Sequence, residues 1–152
     1  MTADSQTSQR IADDIQRLWF NVTRNAWTVL AVMSADGESS SEGVARALAQ
    51  AGSRARLRPV RFVNGHGVEL LEAANLISRV MESSDEYSAT IVGLDSPLRS
   101  PASIPVAMAA DAVVLTVSLG HTRGQDAKKT LDLLGSARVL GTVAIGPKPL
   151  HP

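Results

Sequence analysis

The chain has 152 residues, of which 44% are hydrophobic and 20% are charged, and its 15 Lys and Arg balance its 15 Asp and Glu. This composition predicts one globular domain over residues 1–152 with a buried core. Zero net charge argues against a nucleic-acid partner, the lack of cysteine excludes disulfides and thiolate metal sites, and no apolar run is long enough for direct membrane insertion. We therefore expect a cytoplasmic protein.

The first predicted elements are a helix, a strand and a second helix. Apolar residues recur at spacings of three and four between residues 8 and 24, as at Ile11, Ile15 and Val22, which predicts an amphipathic leading helix within residues 1–25. A continuous apolar run over residues 27–33 (WTVLAVM) is typical of a strand buried on both faces. Helical spacing returns after it, and Gly52 is the expected end of that helix.

The remaining chain continues this alternation. Strands are predicted over residues 57–63, 88–94, 112–119 and 139–145, and helices over 68–81, 106–110 and 124–135. Pro59 cannot donate to a ladder, so it predicts a short or interrupted second strand. The α/β core spans residues 27–146, and residues 147–152 are predicted to be a flexible tail. The pattern indicates a three-layer α/β/α domain with a mostly parallel five-stranded sheet.

The loop after the first strand is the expected place for chemistry, because ligands bind at the carboxyl ends of parallel strands. Its sequence is SADGESSS, and its Ser34, Gly37, Glu38 and Ser41 match the pattern Ser-x-x-Pro-Gly-Glu-Gly-Lys-Ser-Thr. Residues 27–52 thus resemble the start of the MinD/Mrp-type P-loop ATPases, and among them the bacterial tyrosine kinases of exopolysaccharide and capsule biosynthesis.

The resemblance extends to both sides of this loop. Asp13, Leu18 and Asn21 fall at the offsets of the family's leading-helix pattern Glu-x-x-Arg-x-Leu-Arg-Thr-Asn. Residues 109–146 look like the family's closing βαβ unit. The likeness implies a P-loop NTPase (Rossmann-like) fold and a place in exopolysaccharide synthesis or export.

Residues that the family's chemistry needs are missing. Ser40 stands where the family has the lysine that neutralises the β- and γ-phosphates, and the chain has no lysine before Lys128. The family's second acidic motif is also absent, since no Asp or Glu lies between Glu42 and Glu69. The departures predict a degenerate loop without catalysis, bound cofactor or metal.

The family's third acidic motif is ambiguous here. Asp95, followed by Ser96 and Pro97, is a candidate remnant of the Asp-Thr-Pro-Pro that holds a magnesium water shell. Counting back from Asp111 instead places Gly93 in the acid's position. A turn role for Asp95 is the alternative to a metal role. The family's tyrosine-rich tail is absent, because the chain has one tyrosine.

The serines of the loop have two interpretations. Bare backbone N–H groups and the hydroxyls of Ser39, Ser40 and Ser41 at a helix N-terminus can hold a small anion. Alternatively the loop is a relic turn in which these serines cap the following helix. The neighbouring carboxylates favour the second interpretation.

Two surface patches are candidate interfaces. Trp19 and Phe20 are adjacent on the leading helix, so one of them is free to contact a partner while the other packs. A basic patch is a docking site for an acidic partner or a phosphate, or else a solvated strand edge. That patch consists of Arg54, Arg56, Arg58 and Arg61.

The leading hypothesis is a catalytically inactive, kinase-like accessory protein that acts by protein–protein interaction. Its expected partners are a membrane polysaccharide co-polymerase, a synthase subunit or an active homologue, and it is a candidate homodimer that a partner recruits to the inner membrane. The alternative is a weak nucleotide-binding ATPase completed by Lys128 or Lys129 of a second subunit. A flavodoxin-like anion or flavin module is disfavoured, because aromatic residues make up only 3% of the chain.

Overall fold

The computed structural model describes residues 3–55, 59–84 and 87–146. Arg56, Arg58 and the predicted tail over residues 147–152 lie outside the described residues. The described helices are α1 (Ala3–Val22), α2 (Glu42–Ala55), α3 (Leu70–Glu82), α4 (Ser103–Ala109) and α5 (Gly124–Leu134). The described strands are β1 (Val29–Ser34), β2 (Val60–Asn64), β3 (Ala89–Leu94), β4 (Ala112–Ser118) and β5 (Val139–Ile145).

The strands form one sheet in the order β2-β3-β1-β4-β5, and every neighbouring pair is parallel. The predicted α/β fold with a parallel five-stranded sheet is confirmed. All residues of β1 and β3 are buried, as expected for central strands covered on both faces. The carboxyl ends of the strands therefore bring the loops after β1, β2, β3 and β4 to one edge of the sheet.

Two hydrophobic clusters separate the helices into layers. One cluster joins Met33 and Leu115 of the sheet to Leu76 of α3 and Leu134 of α5. The other joins the opposite face of the sheet to α1 and α2, and it contains Trp19, Trp27, Leu30, Leu48 and Ile91. The sheet is thus the middle of three layers, and no described helix is long and apolar enough to cross a membrane.

Gly52 does not end α2, and the prediction that it does is wrong. The helix continues to Ala55, and Gly52 is buried inside it. A Cβ at this position would lie 2.5 Å from Cη2 of Trp19 and 2.8 Å from Cγ2 of Val60. Glycine is needed here because the Trp19 ring lies directly on the helix backbone, so the residue marks a close approach rather than a turn.

Other boundaries differ by a few residues. β2 begins after Pro59, so the proline does not interrupt its ladder. α3 begins at Leu70, two residues later than predicted, and Leu71 in its first turn is 92% exposed. α4 begins three residues earlier than predicted, at Ser103. Gly135 ends α5 with a φ of 57°, as the sequence predicts.

Candidate functional site

The loop over residues 34–41 leaves the centre of the sheet, and hydrogen bonds of its first two residues, Ser34 and Ala35, hold its start in place. Ser34 Oγ donates to the carbonyl of Asp36 at 2.9 Å. The N–H of Ala35 donates to the carbonyl of Thr116 on β4, and Thr130 Oγ1 of α5 donates to the carbonyl of Ala35, each at 2.9 Å. The start of the loop is therefore fixed by β4 and α5.

The carboxylate of Asp36 fills the concave side of this loop. Asp36 is 4% exposed, and its Oδ1 accepts hydrogen bonds from the N–H groups of Glu38 at 2.9 Å and Ser39 at 2.6 Å. Its Oδ2 accepts from Thr122 Oγ1, which in turn accepts from the N–H of Ser118 at 2.9 Å. In a phosphate-binding loop such N–H groups hold the anion. Here a side chain of the same loop takes that place.

Asp36 carries a fixed negative charge. Burial by itself raises the pKa of this carboxyl, but hydrogen bonds from Thr122, Ser39 and Glu38 outweigh it and hold the pKa below its usual value. The carboxylate is therefore ionised at neutral pH. A second anion at this position would meet both an occupied donor set and a like charge.

Ser41 is similarly engaged with the protein. Its side chain is 1% exposed, and its Oγ lies 2.9 Å from the carbonyl oxygen of Leu94, 3.1 Å from that of Val32 and 3.1 Å from Nε2 of His66. The other ring nitrogen of His66, Nδ1, lies 2.7 Å from Asn64 Oδ1. Because Asn64 Oδ1 accepts, Nδ1 carries the proton in the neutral ring, and Nε2 is then one of three acceptors, with the carbonyls of Leu94 and Val32, around the single hydroxyl proton of Ser41.

The ring of His66 packs against Gly93 as well as against Ser41. Burial lowers the pKa of its ring, and this outweighs the opposite effects of Asp95 and Glu42. A Cβ built on Gly93 would lie 2.7 Å from Cε1 of His66. In P-loop enzymes a serine or threonine hydroxyl at the end of the phosphate-binding loop binds Mg²⁺. In this protein the imidazole occupies the space beside that hydroxyl.

Asp95 contacts the backbone of a neighbouring turn. It is half-buried after β3, and its Oδ2 accepts a hydrogen bond from the N–H of Gly67 at 2.7 Å. Gly67 has a φ of 76°, so the turn after β2 requires glycine there. No group of three or more His, Asp or Glu is arranged for a metal within the described part of the chain.

Basic side chains reach the loop from other parts of the chain. A cleft of about 740 Å³ lies between the loop and the turn after β4, and Arg99, Arg123, Glu38 and Asp126 line it. The backbone N of Arg99 is 3.8 Å from the position of a Cβ on Gly37. The sequence places no cation inside the loop, and these two arginines come from the β3–α4 and β4–α5 connections.

The three serines at the end of the loop have different roles. Ser40 Oγ accepts from the N–H of Glu42 at 3.2 Å and so caps α2. Ser39 gives its N–H to Asp36, and Ser41 turns inward towards β1 and β3. The capping interpretation therefore holds for Ser40 alone.

The two aromatic residues of α1 have opposite environments. Trp19 is 4% exposed and packs edge-on against Trp27 with ring centroids 5.9 Å apart. Phe20 is 60% exposed. A groove of about 410 Å³ between α1 and α2 is lined by both residues together with Ile11, Ile15, Ala51 and Arg54. Phe20, Arg54 and Arg61 are thus the accessible members of the predicted interface residues that the structure describes, and of these Phe20 and Arg54 line the groove.

Comparisons with known proteins identify the fold. No family model and no curated protein matches the sequence. The solved kinase domain of the Escherichia coli tyrosine kinase ETK superposes with a TM-score of 0.65 and 9% identity, over 89% of this chain and 74% of that chain. At such low identity the likeness shows the fold alone, which is the α/β fold of that kinase domain.

Proposed function

We propose that this chain is a catalytically inactive, kinase-like accessory protein of exopolysaccharide biosynthesis or export that acts through protein–protein interaction. The observation that carries the proposal is the internal closure of the loop. Asp36 accepts from the N–H groups of Glu38 and Ser39 that would hold a phosphate, and the ring of His66 lies within hydrogen-bond distance of the Ser41 hydroxyl. The kinase-like fold is retained, whereas the groups that would serve a nucleotide are used to hold the fold together.

The α1–α2 groove is the surface that we assign to the partner. Phe20 and Ile11 expose 60% and 58% of their surface beside it, and Arg54 lies on its α2 side. Among the described residues Arg54 forms no ion pair, so it is free to meet a carboxylate. The proposed partner is a membrane polysaccharide co-polymerase, a synthase subunit or an active homologue, and its binding recruits the protein to the inner membrane.

Calorimetry with magnesium-ATP tests the loss of nucleotide chemistry. We expect no binding at ligand concentrations up to about 1 mM, which corresponds to less than about 4 kcal/mol of binding free energy. Ser41→Ala is the matched variant, because it removes only the hydroxyl that P-loop proteins use for the metal. Micromolar binding by the wild-type chain that disappears in Ser41→Ala would show that the site is active.

Capture from the source cell tests the interaction. Phe20→Ser should lose the polysaccharide co-polymerase, synthase subunit or homologue that the wild-type chain retains. Leu71→Ser is the control, because Leu71 is an exposed leucine on α3, at 92% exposure. Trp19 is unsuitable for this purpose, since its burial makes Trp19→Ala a test of folding. Equal capture by the Phe20 and Leu71 variants would refute the groove as the interface.

The cleft beside the loop favours one second candidate, a weak ATPase completed by another subunit. Arg99 and Arg123 supply the cations that the loop lacks, and Lys128 and Lys129 are exposed on α5. This function requires turnover that rises more steeply than linearly with protein concentration. Turnover must also fall in the Lys128→Ala/Lys129→Ala double variant, and unchanged turnover there would eliminate this candidate.

A further inference from the structure

The two edges of the sheet differ in chemistry. β2 forms one edge, and it starts after Pro59 and carries the exposed, charged Arg61. β5 forms the other edge, and from Val139 to Ile145 it contains neither a charged residue nor a proline. Charges and prolines on an edge strand prevent other strands from pairing with it. Only the β2 edge has this protection.

β5 is accessible along its length. None of its seven residues is fully buried, and Gly141, Thr142 and Ala144 are exposed. The nearest preceding charge, Arg138, is directed away from the strand, because its guanidinium donates to the carbonyl of Ala26 and to Asn25 Oδ1. Among the described residues, no strand pairs with the outward N–H and C=O groups of β5, so this row can accept a further strand.

We infer that β5 pairs with β5 of a second copy of this chain, antiparallel about a two-fold axis at Val143. The register of β5 on β4 is irregular near its start and regular from Gly141 to Ile145. A two-fold axis at Val143 uses this regular segment alone. It places Gly141 opposite Ile145 of the second copy and Thr142 opposite its Ala144, so small and β-branched side chains meet across the interface.

The occupant is a second copy because the edge is complementary to itself. A two-fold axis brings the same strand segment of both copies together, so a charge near the axis lies within a few residues of the same charge on the second copy. β5 has none, whereas a β2 pair would bring Arg61 towards Arg61. The helix before β5, α5, also exposes Leu131 at 43% and Leu133 at 46%. The result is a continuous ten-stranded sheet.

Cysteine cross-linking provides the decisive experiment, since the natural chain has no cysteine. Directly opposed residues of an antiparallel pair have Cα atoms about 4.5–5.5 Å apart, which suits a disulfide. Val143→Cys should give a covalent dimer on mild oxidation, and Val63→Cys, a half-buried valine on the β2 edge, should not. Light scattering on the wild-type chain should give twice the monomer mass at about 100 μM, a concentration that populates dimers of micromolar affinity.

A charge on the strand completes the design. Thr142→Lys should weaken dimerisation at least tenfold, while Thr142→Ser should preserve it. A monomeric wild-type mass overturns the inference, and so does a dimer that Val143→Cys fails to cross-link or that Thr142→Lys leaves intact. None of these results depends on nucleotide binding or on the groove beside Phe20, so the proposed function stands or falls separately.

Discussion

Two aspartates at opposite ends of the sheet have nearly the same surroundings. At the amino ends of β1 and β4, Asp111 Oδ2 accepts from the N–H and Oγ1 of Thr28, each at 2.8 Å, and from the N–H of Val29 at 2.9 Å. Asp36, at the carboxyl ends, also accepts from two backbone N–H groups and one threonine hydroxyl. The same set of donors, two backbone N–H groups and a threonine hydroxyl, thus binds an aspartate at both ends of the sheet. At the carboxyl ends it lies where a P-loop protein would bind phosphate. The difference is exposure, since Asp36 is buried and Asp111 is exposed.

The largest effect that this comparison predicts is the loss of stability in Asp36→Ala. The substitution leaves two N–H groups and the Thr122 hydroxyl without their acceptor in a buried site, which should lower the free energy of unfolding by about 3 kcal/mol. Urea denaturation measures it. Asp36→Asn keeps the shape and should lose less. A change below about 1 kcal/mol in Asp36→Ala would mean that the carboxylate is not the acceptor that holds the loop.

The next prediction is that an anion restores what Asp36→Ala loses. With the carboxylate removed, the freed N–H groups of Glu38 and Ser39 should donate hydrogen bonds to pyrophosphate, and ligand at 100 times its Kd should add about 2.7 kcal/mol of stability. Thermal unfolding with and without pyrophosphate measures this gain. The wild-type chain and Asp36→Asn should show no gain, because a side chain still fills the loop. Equal stabilisation of all three proteins would indicate binding elsewhere.

The sequence predicts the fold well because the fold depends on local periodicity. Central strands are apolar at every position, and the helices have regular apolar spacing, so the parallel sheet and its position follow from patterns such as residues 27–33. Errors occur where tertiary contact overrides a local preference. Glycine is typical of a helix end, so the sequence around Gly52 predicts one. The contact with the Trp19 ring, which is remote in sequence, explains why the helix continues through this glycine.

The sequence alone predicts which P-loop residues the site lacks, but it does not predict which side chains fill the site instead. The missing lysine is visible from counting alone, whereas His66, Thr122 and Arg99 reach the loop over 25 or more residues of chain separation. The available signal was position, because each follows the carboxyl end of a strand that lies next to β1 or one strand further. No spacing rule states that a histidine there will bond to Ser41.

A smaller effect is expected at the opposite end of the sheet. Asp111→Ala removes the same number of acceptor contacts, but water can reach the freed donors, so we expect a loss of about 1.5 kcal/mol in urea denaturation. Pyrophosphate should not stabilise this variant, since its loop is still closed by Asp36. A loss as large as that of Asp36→Ala would show that exposure does not distinguish the two carboxylates.

The smallest predicted effect is a dependence of the free energy of unfolding on pH, and it comes from His66 beside the loop. The pKa of His66 is lowered in the folded protein, so between that value and the unfolded value of about 6.5 the unfolded chain binds more protons. The stabilising contribution of neutral His66 is complete above pH 6.5, and it is lost as the pH falls from the unfolded pKa through the lower pKa of the folded state. The slope cannot exceed about 1.4 kcal/mol per pH unit for one proton.

His66→Gln should flatten the dependence of unfolding free energy on pH between about 7 and 5, a range in which carboxyl groups titrate little. His121→Gln, on the exposed turn after β4, is the matched control and should keep the wild-type slope. The charged groups that face His66 are Asp95, Glu42, Arg46 and Arg99. If both glutamine variants retain the slope, then the neutral ring of His66 does not hold Ser41, and the loop is closed by Asp36 alone.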